Sequence, residues 1–158
     1  MKVERLLWII LNVILHSLSI VFAQTTYYSY QTEDWDSTNT WTTDPSGTTL
    51  QNPAVPGSSD NVVILDGRTV SIGANTKTVN SVDIRNGGIL ETNSTTGHNF
   101  GTVSGSGKLR MSTITFPSGT FTDFFSSSGG TVEFYDVTGD LPTSVTEIND
   151  LLLAGTGT

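Results

Sequence analysis

The chain has 158 residues, with 7 Lys+Arg against 15 Asp+Glu, 16 Gly and no Cys, and only 14% of it is charged. The lack of Cys excludes a disulfide scaffold, a Cys-ligated metal site and a thiol nucleophile. A net charge of −8 argues against nucleic acid as a partner, because phosphate contacts need clustered Lys and Arg.

The chain opens with an export signal over residues 1–23. Lys2 and Arg5 form a short positive region, and an apolar run follows from Leu6 to Phe22. The run closes on Val21-Phe22-Ala23, small or β-branched at the positions a signal peptidase reads, so cleavage is expected before Gln24. The alternative is an uncleaved membrane anchor. The run has 17 residues and is interrupted by Asn12, His16, Ser17 and Ser19, at the lower edge of the ~17–25 that span a bilayer. Cleavage leaves an exported, extracellular or cell-surface chain with no membrane segment.

The remaining 135 residues carry 5 Lys+Arg and 14 Asp+Glu, a charge of −9, and 42 of them are Thr or Ser. Such a composition also occurs in disordered linkers, but the regular scatter of Val, Ile, Phe and Leu suits β-structure instead. In chain order the predicted strands are Asn61–Leu65, Thr69–Ile72, Val79–Ile84, Ile89–Glu91, Phe100–Val103, Lys108–Met111, Thr113–Phe116, Thr131–Tyr135 and Ile148–Leu153. Turn signals separate them, among them Asp66-Gly67, Asn86-Gly87-Gly88, Pro117-Ser118-Gly119 and Gly129-Gly130. No window after Gln24 sustains a 3.6-residue apolar period, and Thr122–Ser127 amounts to one helical turn at most. The chain is all-β.

Two architectures fit. Strands every 8–12 residues with Asp-Gly and Asn-Gly turns suit an antiparallel sandwich. A longer spacing is superimposed. The strongest runs centre on Val63, Asp83, Leu109, Glu133 and Leu152, in steps of 20, 26, 24 and 19 residues. That suits the coils of a parallel β-solenoid, each of which must stack on a neighbour to bury its apolar positions. Val82-Asp83-Ile84-Arg85 and Val132-Glu133-Phe134 alternate as strands with one wet face should.

A resemblance favours the solenoid. Trp35 and Trp41 in a W-x5-W spacing precede Val55-Pro56-Gly57-x2-Asp60-x-Val62-x-Ile64-x2-Gly67-x2-Val70. Thr95 through Arg110, Phe116-Pro117-Ser118-Gly119-Thr120-Phe121, Gly129 through Tyr135, and Leu141-Pro142 through Leu153 continue the pattern. Together these segments resemble the N-terminal region of large secreted Gram-negative surface proteins and, more loosely, the extracellular domain named for eight glycines. The resemblance implies a right-handed parallel β-helix: a cap over residues 24–59, then roughly four coils over residues 60–158 as an incomplete solenoid. It implies a non-enzymatic stalk or adhesin-like segment whose partners are extracellular glycans, other surface proteins or a continuation of its own solenoid. Leu151–Leu153 carries no visible cap, so that end should be a sticky edge.

Candidate chemistry is sparse. Trp35 and Trp41 suit the filling of the first coil's apolar end; the alternative is a sugar-stacking platform, making the chain a carbohydrate-binding module. Asp34 and Asp36, with Glu33 and Asn39 nearby, could offer oxygens to Ca²⁺, the one cofactor considered, but the Gly and distal Glu of an EF-hand loop are absent. A solvated acidic turn is the simpler reading. His98 is the one His after Gln24, and its Gly97-His98-Asn99 setting reads as a corner rather than a catalytic base. Asp83, Arg85, Lys108, Arg110 and Glu133 should face outward, where a polysaccharide lyase on a β-helix would place its acids and bases. No catalytic residue is assigned.

Overall fold

The computed structural model describes residues 23–142 and 147–155. Apart from Ala23, the expected leader lies outside the described residues. The strands are β1 Thr26–Ser29, β2 Glu33–Asp34, β3 Trp41–Thr42, β4 Asn61–Ile64, β5 Thr69–Ser71 and β6 Ser81–Ile84, followed by β7 Ile89–Asn93, β8 Asn99–Ser104, β9 Lys108–Met111, β10 Ser118–Thr120, β11 Thr131–Tyr135 and β12 Asp150–Ala154. The helical element among the described residues is a single 3₁₀ turn, Thr38–Thr40.

The strands stack into two six-stranded sheets. Sheet one runs β10-β8-β6-β4-β1-β3 and sheet two runs β12-β11-β9-β7-β5-β2. Apart from the antiparallel contact of β3 with β1, the ladders are parallel. Successive strands in the chain alternate between the sheets from β4 to β11, giving a parallel β-solenoid of about four turns. Asp66-Gly67 and Asn86-Gly87 join β4 to β5 and β6 to β7, across sheets. They are therefore corners, and the alternative of hairpins closing an antiparallel sandwich is corrected.

The register explains the uneven spacing of the sequence. Val62 pairs with Val82 and Val82 with Val103; Val70 pairs with Leu90, Leu90 with Leu109, Leu109 with Val132 and Val132 with Leu151. The long step from Asp83 to Leu109 crosses from sheet one to sheet two, so it does not measure one turn.

These columns are the core. Val62, Ile64, Val82, Ile84 and Val103 from sheet one face Val70, Leu90, Leu109, Met111, Val132 and Phe134 from sheet two, all buried. Each sits ~4.8 Å from its counterpart in the next turn. Full burial of such a side chain contributes ~1.5–3 kcal/mol, and most of it comes from neighbouring turns.

Stacking also dictates the corner residues. Gly101 has φ +56°, and a Cβ there would overlap the Asn80 carbonyl of the turn below. Only glycine fits both the left-handed backbone and the close approach.

Two element assignments change. Thr113–Phe116 is not a strand: the Thr113 hydroxyl accepts the Thr115 N–H at 3.1 Å and turns the chain. The strand lies in the following turn-like Ser118–Thr120, whose partner β8 supplies the ladder. At the other end, β1 and β2 already lie in the ladders of β4 and β5. The region expected as a cap thus contributes a short rung of its own, finished by β3.

Candidate functional site

The outer face of sheet two gathers most of the charge chemistry. In register across β5, β7, β9 and β11 stand Ser71, Glu91, Arg110 and Glu133. Ser71 Oγ donates to Glu91 Oε2 at 3.0 Å, and Arg110 donates from Nη1 to Glu91 Oε1 at 2.8 Å and from Nε to Glu133 Oε1 at 3.2 Å. Lys108 Nζ meets the other oxygen of Glu133, Oε2, at 2.7 Å. The Tyr135 ring covers the guanidinium, 4.1 Å from Arg110 Cζ, and the Tyr135 hydroxyl donates to Asn93 Oδ1 at 2.9 Å.

Glu133 points outward yet its side chain is only 8% exposed. Burial pushes its carboxyl up, but the hydrogen bonds and charges of Lys108 and Arg110 outweigh that and hold it below the usual glutamate value. Burial, with the nearby Glu91 charge, raises the Tyr135 phenol. Two carboxylates meet two cations, and both oxygens of Glu133 are engaged. The arrangement braces three turns. As a lyase it would need a carboxylate and a base free to meet a substrate.

Asp83 and Arg85 are not part of this network. They lie on and just after β6 in sheet one, and Arg85 Nε donates to Asp83 Oδ2 at 2.6 Å. Of the five residues expected outward, the structure joins Lys108, Arg110 and Glu133 and leaves the other two as a local pair.

Trp35 and Trp41 are 1% and 0% exposed. Their rings meet edge to face at 4.9 Å, Trp41 Nε1 donates to the Trp35 carbonyl at 2.8 Å, and Trp35 stacks on Phe100 at 6.4 Å. Burying both rings satisfies the indole donor and fills the core beneath β3. Sugar stacking needs an exposed ring face, which neither residue presents. Asp34 Oδ1 accepts the Asp36 N–H at 2.8 Å, while Asp36 pairs with Lys77 Nζ at 2.5 Å. A Ca²⁺ ion takes 6–8 oxygens. Here one carboxylate is committed to a lysine, and no group of three or more His, Asp or Glu suited to a metal occurs among the described residues.

His98 is buried and lies parallel to Phe100, with ring centres 5.4 Å apart. Its Nδ1 accepts the Lys77 N–H at 3.1 Å, which assigns the proton to Nε2, facing Thr95 Oγ1 at 2.9 Å. Thr95 in turn donates to the Thr92 carbonyl. Burial lowers the His98 pKa, so the neutral ring is the form that fits this corner.

The last turns present a different surface, which sequence reasoning reached only as a sticky edge at Leu151–Leu153. A groove of about 660 Å³ runs beside β10, lined by Phe116, Phe121, Phe125, Thr120 and Glu147. Phe121 stacks on Phe125 at 5.3 Å and Phe116 meets Phe121 edge to face at 4.9 Å. The available signal was the crowding of Phe116, Phe121, Phe124 and Phe125 into ten residues. Next to it β12 leaves Leu151, Leu152 and Leu153 at 38%, 42% and 61% exposure. Comparison of the chain with known protein families, with curated proteins and with solved structures gives no match.

Proposed function

We propose that the chain is a non-enzymatic segment of a secreted or cell-surface β-solenoid, serving as a stiff stalk or adhesin-like support. One observation carries the reading: the charged groups that could have formed a reactive face are used between turns. Glu91, Arg110, Glu133 and Lys108 tie β7, β9 and β11 together and cancel one another. Parallel stacking of the turns then supplies rigidity, and side chains on the outside supply contact surface. The address rests on the leader pattern of residues 1–23.

Fractionation of producing cells with N-terminal sequencing of the exported form tests the address, with Gln24 as the expected first residue. Retention in the cytoplasm would overturn it. A panel of acidic polysaccharides, with and without Ca²⁺, tests the non-enzymatic part. Release of unsaturated sugars would overturn that.

A further inference from the structure

We infer that Asn86, in the corner between β6 and β7, is a self-modifying site. Its side-chain amide is lost to water through a succinimide closed by the Gly87 nitrogen, leaving aspartate or isoaspartate. The site works whether or not the chain is exported, and so goes beyond the stalk reading.

Three observations meet at this corner. First, Asn86 is the one Asn in the chain followed by Gly, so no side chain shields the nitrogen that must attack. Second, both residues are exposed, and the stacking explains why. The pairs Asp83–Ser104 and Ile89–Lys108 enclose residues 84–88 in this turn but only 105–107 in the next. The shorter corner does not roof the longer one. Third, the hydrogen bonds of the corner pass the reacting atoms by. Gly67 N–H donates to the Gly87 carbonyl at 3.2 Å, Gly88 N–H to the Arg85 carbonyl at 2.8 Å, and Arg85 Nε to Asp83. That leaves the Gly87 N–H and the Asn86 amide without a protein partner among the described residues. Asn80 and Asn93, each followed by Ser, are held instead. Asn80 Nδ2 donates to Asn61 Oδ1 at 2.9 Å, and Asn93 Nδ2 donates to the Ile72 carbonyl at 3.1 Å while its Oδ1 accepts the Tyr135 hydroxyl.

The step balances with water alone. Solvent base takes the Gly87 amide proton, and the nitrogen lone pair forms a bond to Asn86 Cγ. The Cγ–Nδ2 bond breaks, and Nδ2 leaves as ammonia with a proton from water. Water then adds to either carbonyl of the succinimide and opens it to aspartate or to isoaspartate. The product matters to the stack. Asp66-Gly67 lies in register beneath Asn86-Gly87, and Asp66 Oδ1 sits against Gly87, where it would overlap a Cβ. A carboxylate at position 86 brings a second negative charge to that spot. The isoaspartyl form also lengthens the backbone between Arg85 and Gly87, whose carbonyls accept the two hydrogen bonds that tie the corner.

The test ages the purified full chain at mildly alkaline pH, with and without urea, and maps the acid formed at each Asn by peptide mass spectrometry. In the folded chain Asn86 should convert at least about tenfold faster than Asn80 or Asn93, with isoaspartate among the products. The rate should rise with pH. Urea should release Asn80 and Asn93 and narrow the gap. Amide exchange at Gly67 and Gly88 should be faster in the aged chain than in the fresh one, and Asn86→Gln, aged alongside, should show no such change. Conversion of Asn86 only in urea would overturn the inference, because the folded corner would then keep the succinimide from closing. Equally fast conversion of Asn80 or Asn93 in the folded chain would overturn it too, as would the same loosening in aged Asn86→Gln.

Discussion

Glu133 shows how a side chain can point away from the core and still be desolvated. Leu152 follows it in register on β12 while Lys108 and Arg110 hold its two oxygens. Its lowered carboxyl pKa means that the folded chain binds the proton more weakly than the unfolded chain. The stabilisation is therefore present above the ordinary value of 4.5 and lost as pH falls through the lower folded value. His98 acts in the same direction at higher pH. Its folded pKa lies below 6.5, so the fold weakens as pH falls beneath that value. Heat unfolding should therefore lose stability on the acid side at His98 first and at the carboxylates lower down. His98→Gln should remove the upper loss, and Glu133→Gln should reduce the lower one, as followed by melting temperature against pH. Asp44, held down to about 2 by hydrogen bonds from Ser46, Thr48 and Thr49, also shares that lower loss. Thr92 offers a third test. Its hydroxyl is the one buried side-chain polar atom without a partner among the described residues. Thr92→Val should raise unfolding free energy by about 1 kcal/mol, measured in urea, because a desolvated group is removed without breaking a bond. Some of this was readable from residue type. The Asp83–Arg85 pair follows from strand alternation, and the corner role of His98 from its glycine neighbour. The desolvation of Glu133 was not, since it depends on which residues two other turns place beside it.

At the level of strands and corners, glycine positions separate two kinds of cost. Gly67 has φ +67° with open space where a Cβ would stand, whereas Gly101 has φ +56° and the Asn80 carbonyl in the way. Gly67→Ala should cost about 1 kcal/mol from backbone strain alone. Gly101→Ala should cost more than about 2 kcal/mol, because the neighbouring turn must also shift. Chemical denaturation of the two variants measures the difference. The strands with alternating β-branched residues were legible because the pattern states which face is wet. β10 was not: Ser118-Gly119-Thr120 has the composition of a turn and becomes a strand through its ladder with β8. Thr113–Phe116 failed in the opposite sense, since a local hydroxyl contact competed with pairing.

Across the whole molecule, contacts run between adjacent turns, so stability is shared along the stack rather than pooled in one centre. The Trp35–Trp41 end is filled, and among the described residues β12 has a ladder partner on one side only. Amide exchange should accordingly be slowest in β4, β6, β7 and β9 and fastest in β10 and β12, with protection graded between them. Uniform protection would mean that the turns unfold as one unit. The solenoid was legible in the roughly twenty-residue recurrence, but the sandwich stayed open because the strongest runs switch from sheet one, at Val63 and Asp83, to sheet two, at Leu109, Glu133 and Leu152. A one-dimensional spacing cannot say on which wall of the coil each run lies.

The ladder of Glu91, Arg110 and Glu133 has a consequence for how the chain threads itself. Sign alternates from turn to turn, so correct neighbours attract. If β9 were skipped and β11 laid against β7, the apolar columns would still match, Leu90 on Val132, and hydrophobicity alone would tolerate the error. Glu91 would then face Glu133, two like charges directly opposite. The charge sequence works as a key that distinguishes the next coil from the one after it, in a molecule whose coils are otherwise easy to mistake for one another.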